Sequence, residues 1–253
     1  MTQLQRSIFH VARLLNSKRI SEMSFLSDNA LPEDFTGIVR LFPLPNVVLF
    51  PGVIQGLHIF EPRYRKMTED AVASDQLITM SLPEMTPDVD LQLSPPLREH
   101  VCIGKILTHN LLEDGRYNLL VMGVQRARLV EEIVGDLPYR TGRVELFKET
   151  CHATVEQVSR SRKLLVSMFL KHSKSVGNFD EDMIANLANP ELPFGMFVDL
   201  ICYSINPGVE FLQQVLRTTD VWQRCELLMK KMDLQPPGPE TGKPKFPPGF
   251  SEN

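Results

Sequence analysis

Apolar positions along the chain change their period near residue 150. From Ile38 to about Phe147, short apolar runs of strand length are separated by Pro, Gly or Asp, which predicts strands divided by turns. The predicted strands are Ile38–Phe42, Ile54–Ile59, Leu77–Ser81, Val101–Thr108, Tyr117–Val124, Ala127–Glu131 and Tyr139–Phe147. Asp114-Gly115 predicts a hairpin turn, because both residues tolerate positive φ. Around Ala127 the alternation places Arg126 and Arg128 on a solvent-facing side.

Helical spacing dominates the second half of the chain. One earlier helix is predicted to begin at Pro62, since proline suits a first helical turn. Further helices are predicted from Val155 to His172, Met183 to Leu187, Leu192 to Ile205 and Val221 to Met232. Asn206-Pro207 resembles an N-cap followed by proline at the first helical position. Strands followed by helices predict an α+β fold with two subdomains and a boundary near residue 150.

The stretch LFPLPNVVLFPGVIQGLHIFEPRYR crowds apolar residues but interrupts them with Pro43, Pro45, Pro51 and Gly52. Proline cannot donate to a sheet ladder, so these prolines must lie at strand ends, edges or bends. The chain is therefore predicted to enter the sheet, break, and re-enter at an angle, as a curved sheet requires.

The two ends of the chain differ in composition from its middle. Residues 1–36 form a predicted leader, helical or partly disordered, and residues 1–21 are basic and amphipathic, with no acid before Glu22. That leader fits either a basic helix packed on the domain or an organellar transit peptide. Residues 235–253 are rich in Pro, Gly, Lys and Glu, which predicts a disordered tail.

Composition excludes several classes of protein. The formal net charge of −4 gives no reason to expect bulk attraction to nucleic acid. No apolar run approaches the length that spans a bilayer, so no membrane association is predicted. The four cysteines are widely separated and form no CxxC pair, which indicates free thiols in a reducing compartment. A cytoplasmic location follows, or an organellar one if residues 1–21 act as a transit peptide.

No group of residues has the spacing of a catalytic, cofactor or metal site. GxSxG, HExxH and GxGxxG motifs are all missing from the sequence. His58 lies close to Glu61, so a catalytic imidazole is conceivable, but a histidine hydrogen-bonded at a strand edge is the simpler interpretation. We therefore expect no catalytic residues, no cofactor and no metal.

Several ordered motifs resemble the N-terminal, substrate-recognition domain of Lon-type ATP-dependent proteases. These motifs are LFPLPNVVLFPGVIQGLHIFEPRYRKMTEDA, VCIGKILTHNLLEDGRYNLLVMGVQRARLVEE, PYRTGRVEL and GMFVDLICYSI. The resemblance covers roughly residues 38 to 232. It implies a PUA-like, mainly antiparallel β-subdomain over residues 37–150 and a helical subdomain over residues 151–234.

The resemblance also implies a function. A full Lon protease continues into an ATPase module and a Ser-Lys peptidase domain, and this sequence contains neither, so we expect a non-catalytic, free-standing relative. Such a module would bind unfolded or degron-bearing polypeptides, in cooperation with a separate protease or ATPase. An apolar groove between the two subdomains, or an exposed strand edge, would receive the bound chain. The oligomeric state is not predicted.

A surface at the strand-to-helix corner is the candidate peptide-binding site. Phe60, Arg63 and Tyr64 border it together with the Pro83–Glu99 loop, although Phe60 and Tyr64 equally fit a buried core. The alternative function is RNA binding through the PUA-like face. Its basic residues would be Arg126, Arg128, Arg140 and Arg143.

Overall fold

A computed structural model describes residues 31–84, 95–176, 192–233 and 251–252 of the chain. Within these ranges a mixed sheet is combined with five helices, which confirms the predicted α+β class. The strands are β1 (Ile38–Pro43), β2 (Ile54–Ile59), β3 (Leu77–Ser81), β4 (His100–Leu111), β5 (Tyr117–Ile133), β6 (Thr141–Leu146) and β7 (Ser251–Glu252). The helices are α1 (Pro62–Val72), α2 (Val155–Val176), α3 (Phe194–Ile205), α4 (Val209–Arg217) and α5 (Val221–Asp233).

The sheet closes on itself around strand β5. Its order is β4-β3-β1-β6-β5-β2-β7, and an additional pairing of β4 with β5 completes a ring. Strand β4 pairs with one edge of β5. At the other edge, β2 pairs with the first part of β5 and β6 pairs with its last part. β1 is antiparallel to β6 and parallel to β3, and β7 is parallel to β2. The sheet is therefore curved and mainly antiparallel, as expected.

The prolines of the LFPLPNVVLFPGVIQGLHIFEPRYR stretch lie at positions where the sheet requires no hydrogen bond from the proline nitrogen. Pro43 is the last residue of β1, and Pro51 forms an isolated bridge to Gly123 before β2 begins. Gly52 has a φ of 80°, and its N–H donates to the carbonyl of Gly123 at 2.8 Å. The chain turns here and re-enters the sheet beside β5, which confirms the predicted break.

The prediction of two strands, Tyr117–Val124 and Ala127–Glu131, is wrong. The structure has one strand of 17 residues, β5, whose register shifts opposite β4 and again beside β6. Such bulges bend a strand without ending it. The predicted exposure of Arg126 is also wrong, because helices pack over this part of the sheet and leave only 1% of the residue accessible.

The helix predicted from Asn206-Pro207 begins later than expected. Asn206 is the C-cap of α3, with a φ of 42° in the left-handed region that asparagine tolerates. Gly208 then precedes α4, which begins at Val209, so Pro207 lies in the loop between the two helices. The N-cap assignment is therefore wrong.

One large apolar cluster joins the sheet to the helices. It contains Leu49 and Leu57 from the β region together with Leu165, Phe197 and Leu228 from the helices. A smaller cluster, which includes Val39, Leu41, Val101, Ile103 and Leu129, fills the other side of the sheet. The helices therefore hold a fixed position on the sheet, whereas the subdomain boundary near residue 150 stays a prediction.

All four cysteines are free thiols. Cys102, Cys202 and Cys225 are buried, as predicted for Cys202 and Cys225, and Cys151 is exposed. Burial raises the pKa of Cys102 and of Cys225 to about 12, so both remain protonated and unreactive at neutral pH.

Several predictions lie outside the described residues. They concern most of the leader, the short helix from Met183 to Leu187, most of the tail and the middle of the Pro83–Glu99 loop.

Candidate functional site

The strand-to-helix corner joins the end of β2 to the start of α1. Phe60 lies between the two elements and is 39% exposed, so its ring reaches the surface. Glu61 precedes α1, and its carboxylate accepts a hydrogen bond from Arg63 Nε at 2.8 Å. The Arg63 guanidinium lies 4.5 Å from the centre of the Tyr64 ring. This geometry places one aromatic and one cationic side chain at the corner surface.

Tyr64 belongs to the core instead of the surface. It is 4% exposed, and its ring packs edge-on against Phe42 with a centroid distance of 4.7 Å. Burial raises the pKa of its phenol above the ordinary value. Of the three predicted residues, only Phe60 and Arg63 are accessible to a partner.

His58 lies in β2 between β5 and β7, and its side chain is hydrogen-bonded to residues of β5 and of the β4–β5 turn. Its Nδ1 lies 2.7 Å from Asn118 Oδ1, and Arg116 Nη1 lies 3.3 Å from its Nε2. Since the arginine can only donate, Nε2 accepts and the ring proton lies on Nδ1. Glu61 pairs with Arg63 at 2.8 Å.

The β4–β5 hairpin supports the corner from behind. Gly115 has a φ of 81°, as predicted for the Asp114-Gly115 turn, and a Cβ atom there would overlap the Arg65 guanidinium. Asp114 Oδ1 accepts a hydrogen bond from Arg116 N at 3.1 Å, which closes the turn. Helix α1 and the hairpin are therefore packed together, and Phe60 is presented by rigid elements.

The four arginines of the RNA-binding alternative form no open basic stripe. Arg126 is buried, while Arg128 pairs with Glu145 at 2.7 Å. Arg140 pairs with Glu132, and Arg143 pairs with Glu131 at 3.1 Å. Each of these three arginines thus has a carboxylate partner that offsets its charge.

A group of charged residues, three of them buried, lies where the helices meet the sheet. This junction charge cluster comprises Arg126 of β5, Glu149, Asp199 of α3 and Arg224 of α5. Arg126 donates to Asp199 Oδ1 and to Glu149 Oε1 at 2.7 Å each, and Arg224 donates to Glu149 Oε1 at 2.5 Å. Three separate elements are therefore tied together by opposite charges.

Burial and pairing compete within the junction charge cluster. Desolvation raises the pKa of Asp199, and the guanidinium groups of Arg126 and Arg224 oppose that shift. Desolvation acts to lower the pKa of Arg126, but the carboxylates of Asp199 and Glu149 outweigh it and raise the pKa. Because both arginines are nearly inaccessible to solvent, their ion pairs fix the positions of β5, α3 and α5 relative to one another.

A groove opens between the segment before β4 and helices α4 and α5. This junction groove has a volume of about 550 Å³, and its charged lining residues are Arg98, Glu210, Arg217 and Lys231. Arg98 forms a bidentate pair with Glu210, with N–O distances of 2.7 and 2.6 Å. The groove lies between the sheet and the helices, but its mixed polar and apolar lining differs from the apolar groove that the sequence predicted.

The groove floor ties helix α4 to the sheet. Gln213 Nε2 donates to the carbonyl of His100 at 2.8 Å, and Lys231 Nζ lies 5.4 Å from the centre of the Phe211 ring. Val209 and Phe211 pack partly buried against the main core. The groove therefore has fixed walls of mixed polar and apolar character.

Sequence reasoning missed both the junction charge cluster and the groove. One signal was present: Asp199 stands inside the otherwise apolar LPFGMFVDLICYSI run, and a carboxylate in a buried helix needs a charged partner. Arg224 likewise interrupts the apolar stripe of α5. The groove carried no such signal, because Arg98 and Lys231 are far apart along the chain.

The described residues hold neither a cluster of metal ligands nor a membrane-spanning helix. Among them, no three His, Cys, Asp or Glu side chains are grouped as a metal site would require. Within the same ranges, no helix combines the length and apolar character needed to cross a bilayer.

Solved structures show the class of fold. The Lon N-terminal domain protein from Xanthomonas campestris is 20% identical with a TM-score of 0.53, over 76% of this chain and 97% of that one. The N-terminal domain of the Mycobacterium avium complex Lon protease is 18% identical with a TM-score of 0.55, over 78% of this chain and 98% of that one. The fold is that of a Lon N-terminal domain.

Sequence comparison identifies the family. Residues 38–233 match the model of the ATP-dependent protease La (LON) substrate-binding domain, and the chain belongs to this family. The Lon protease of Dictyoglomus thermophilum is 27% identical over 194 residues, and Lon protease 2 of Myxococcus xanthus is 24% identical over 204 residues. These matches cover 77% and 79% of this chain, but the chain spans about 24% of each relative. The match is thus confined to the N-terminal substrate-binding part of those proteases.

Proposed function

We propose that this chain is a non-catalytic module that binds unfolded or degron-bearing polypeptides. The observation that carries the proposal is an exposed aromatic residue, Phe60, on a rigid corner of a chain that belongs to a substrate-binding family. The partners that this role implies are unfolded client chains and a separate ATPase or protease that acts on them.

The corner offers two kinds of contact to an extended chain. The Phe60 ring provides apolar surface, which is the usual anchor of polypeptide interfaces. Arg63 provides a cation beside it, and its guanidinium is held in place by Glu61 and by the Tyr64 ring. A rigid support matters because binding then costs little ordering of the module itself.

The proposal predicts selective binding of unfolded chains. A reduced and carboxymethylated protein, which cannot refold, should bind this module more tightly than the same protein in its native form. Fluorescence anisotropy of the labelled client measures both affinities, and mass spectrometry of the client with and without ATP should show intact chains. Equal affinity for the native and the unfolded form would contradict the proposal.

Phe60→Ala tests the corner itself. Loss of an aromatic anchor typically costs about 1–2 kcal/mol, so the affinity for the unfolded client should fall roughly five- to thirtyfold. Leu164→Ala is the matched control, because Leu164 is also an exposed apolar residue but lies on α2. A loss of the same size in both variants would show that the corner has no special role.

A further inference from the structure

The lining of the junction groove is positively charged on a protein that is negative overall. Arg98, Arg217 and Lys231 contribute three cations and Glu210 contributes one carboxylate, so the lining carries a net charge of +2. The whole chain has a formal net charge of −4. The groove is therefore a local reversal of charge, and it attracts anionic groups that the rest of the surface repels.

The arrangement of these charges leaves two cations to face a ligand. Glu210 is engaged by both nitrogens of the Arg98 fork, so this pair is neutral and fixes one wall. Arg217 and Lys231 stand at the ends of α4 and α5, in the last turn of each helix. An entering carboxylate meets these two side chains without displacing the Arg98–Glu210 pair.

The groove also accepts apolar groups. Pro207, Val209 and Phe211 form the start of α4 and its approach, and they line the same space as the cations. Lys231 lies over the Phe211 ring, so charged and apolar contacts are only a few ångströms apart. A ligand that fits both features carries acidic groups next to apolar side chains.

We infer that the junction groove binds acidic segments of client polypeptides. The inference rests on the proposed function and adds a preference to it: among unfolded chains, those with clustered Asp and Glu next to apolar residues are retained best. A polypeptide fits better than a nucleic acid, because the charge of +2 is small and the exposed arginines elsewhere on the sheet are already paired.

Three peptide probes test the preference. Each is a labelled 12-residue peptide with the same Phe and Gly positions, and the remaining positions are all Glu, all Gln or all Lys. We expect the Glu peptide to bind at least about tenfold more tightly than the Gln peptide, and the Lys peptide to bind most weakly. The affinity of the Glu peptide should fall as sodium chloride is raised.

A double charge reversal locates the binding site. R217E/K231E should weaken binding of the Glu peptide about tenfold or more and flatten its salt dependence. R160E/K163E is the matched control, because it makes the same change of charge on exposed positions of α2. R217Q/K231Q repeats the test without new negative charge, and circular dichroism with urea unfolding verifies that each variant is folded.

The outcomes separate this inference from the proposed function. Unfolded clients that bind through Phe60 with no preference for the Glu peptide would overturn the groove inference alone. Equal losses in R217E/K231E and R160E/K163E would also overturn it, as would tighter binding of a single-stranded RNA of equal charge. If the protein bound no unfolded client at all, that result would instead contradict the proposed function.

Discussion

Gly123 determines how closely the opening stretch approaches strand β5. Its N–H donates to Val53 O at 2.9 Å, and its carbonyl accepts from Gly52 N at 2.8 Å. A Cβ atom at this position would overlap the Phe50 carbonyl oxygen and lie 2.6 Å from the carbonyl carbon. Because these neighbours are backbone atoms, a side chain cannot be accommodated by a change of rotamer.

Gly123→Ala should therefore lower the free energy of unfolding by about 2–3 kcal/mol, near the upper end of overpacking costs. Urea unfolding followed by circular dichroism measures the change. Gly135→Ala is the control, because a Cβ atom there has no neighbour within 4 Å, and this variant should stay within about 0.5 kcal/mol of the parent. Similar stabilities of the two variants would show that the backbone around Phe50 can shift.

At the scale of elements, the start of α5 is held by the chain that follows β6. Val221 N donates to Thr150 O at 2.8 Å, and Asp220 Oδ1 accepts from Gln223 N at 3.0 Å, so Asp220 caps the helix. The Asp220 carboxylate also contacts the ring of His152. The hydrogen bond from His152 lowers the pKa of Asp220, and backbone amides of the first helical turn add to the effect.

This lowered pKa has a defined consequence for stability. An ionised Asp220 stabilises the fold above its unfolded pKa of about 3.9, and the contribution is lost as the pH falls through the lower folded value. Asp220→Asn keeps an acceptor for Gln223 but removes the charge. We expect it to be about 0.5–1 kcal/mol less stable than the parent at pH 6, with the difference shrinking towards pH 3.

Urea unfolding of both proteins between pH 3 and pH 7 measures that difference. Asp136→Asn serves as the control, since Asp136 is exposed in the loop between β5 and β6 and caps no helix. Its free energy of unfolding at pH 6 should match the parent within about 0.5 kcal/mol. A difference for Asp220→Asn that grows as the pH falls would contradict the sign of the argument.

Across the whole molecule, the junction charge cluster connects the sheet to two helices. Asp199 and Arg224 are nearly inaccessible, and within the described residues Asp199 Oδ2 and Arg224 Nη2 find no hydrogen-bond partner. Buried charges that are imperfectly paired contribute little net stability, but removal of one partner is costly. The cluster therefore selects one arrangement of helices on the sheet, and that arrangement forms the junction groove.

Asp199→Ala should lower the free energy of unfolding by about 3–5 kcal/mol, because Arg126 and Arg224 would then share Glu149 alone. The double variant Arg126→Met, Asp199→Leu should recover part of that loss. Arg128→Ala, which breaks the exposed pair with Glu145, is the control and should cost less than about 1 kcal/mol. Equal losses of unfolding free energy for Asp199→Ala and Arg128→Ala would show that the buried pair contributes no more to stability than the exposed one.

The sequence predicts local structure well where side-chain chemistry acts locally. Strands β2 and β3 have the predicted bounds, because turn residues flank them and their apolar runs are short. Pro62 opens α1 as predicted, and Asp114-Gly115 forms the predicted turn. Phe60 and Arg63 are at the surface, whereas Tyr64 is in the core. The local apolar periodicity could not distinguish the exposed residues from the buried one.

Features that depend on distant contacts were not readable from the sequence. The parallel pairing of β1 with β3 leaves no local pattern, and neither does the closure of β4 onto β5. Arg126 alternates like an exposed residue, and only its partners on α3 and α5 explain its burial. The groove likewise forms only when folding brings Arg98 and Lys231 close together, so the composition of the sequence cannot predict it.

The pairing of β1 with β6 has a consequence for biosynthesis. Residues 38–43 leave the ribosome well before residues 141–146 are translated, so β1 must wait for its antiparallel neighbour. During that delay a nascent chain leaves Val39, which pairs with Gly142 and is buried in the complete protein, without its partner strand. Until β6 is synthesised, this part of β1 is therefore transiently exposed and prone to aggregation.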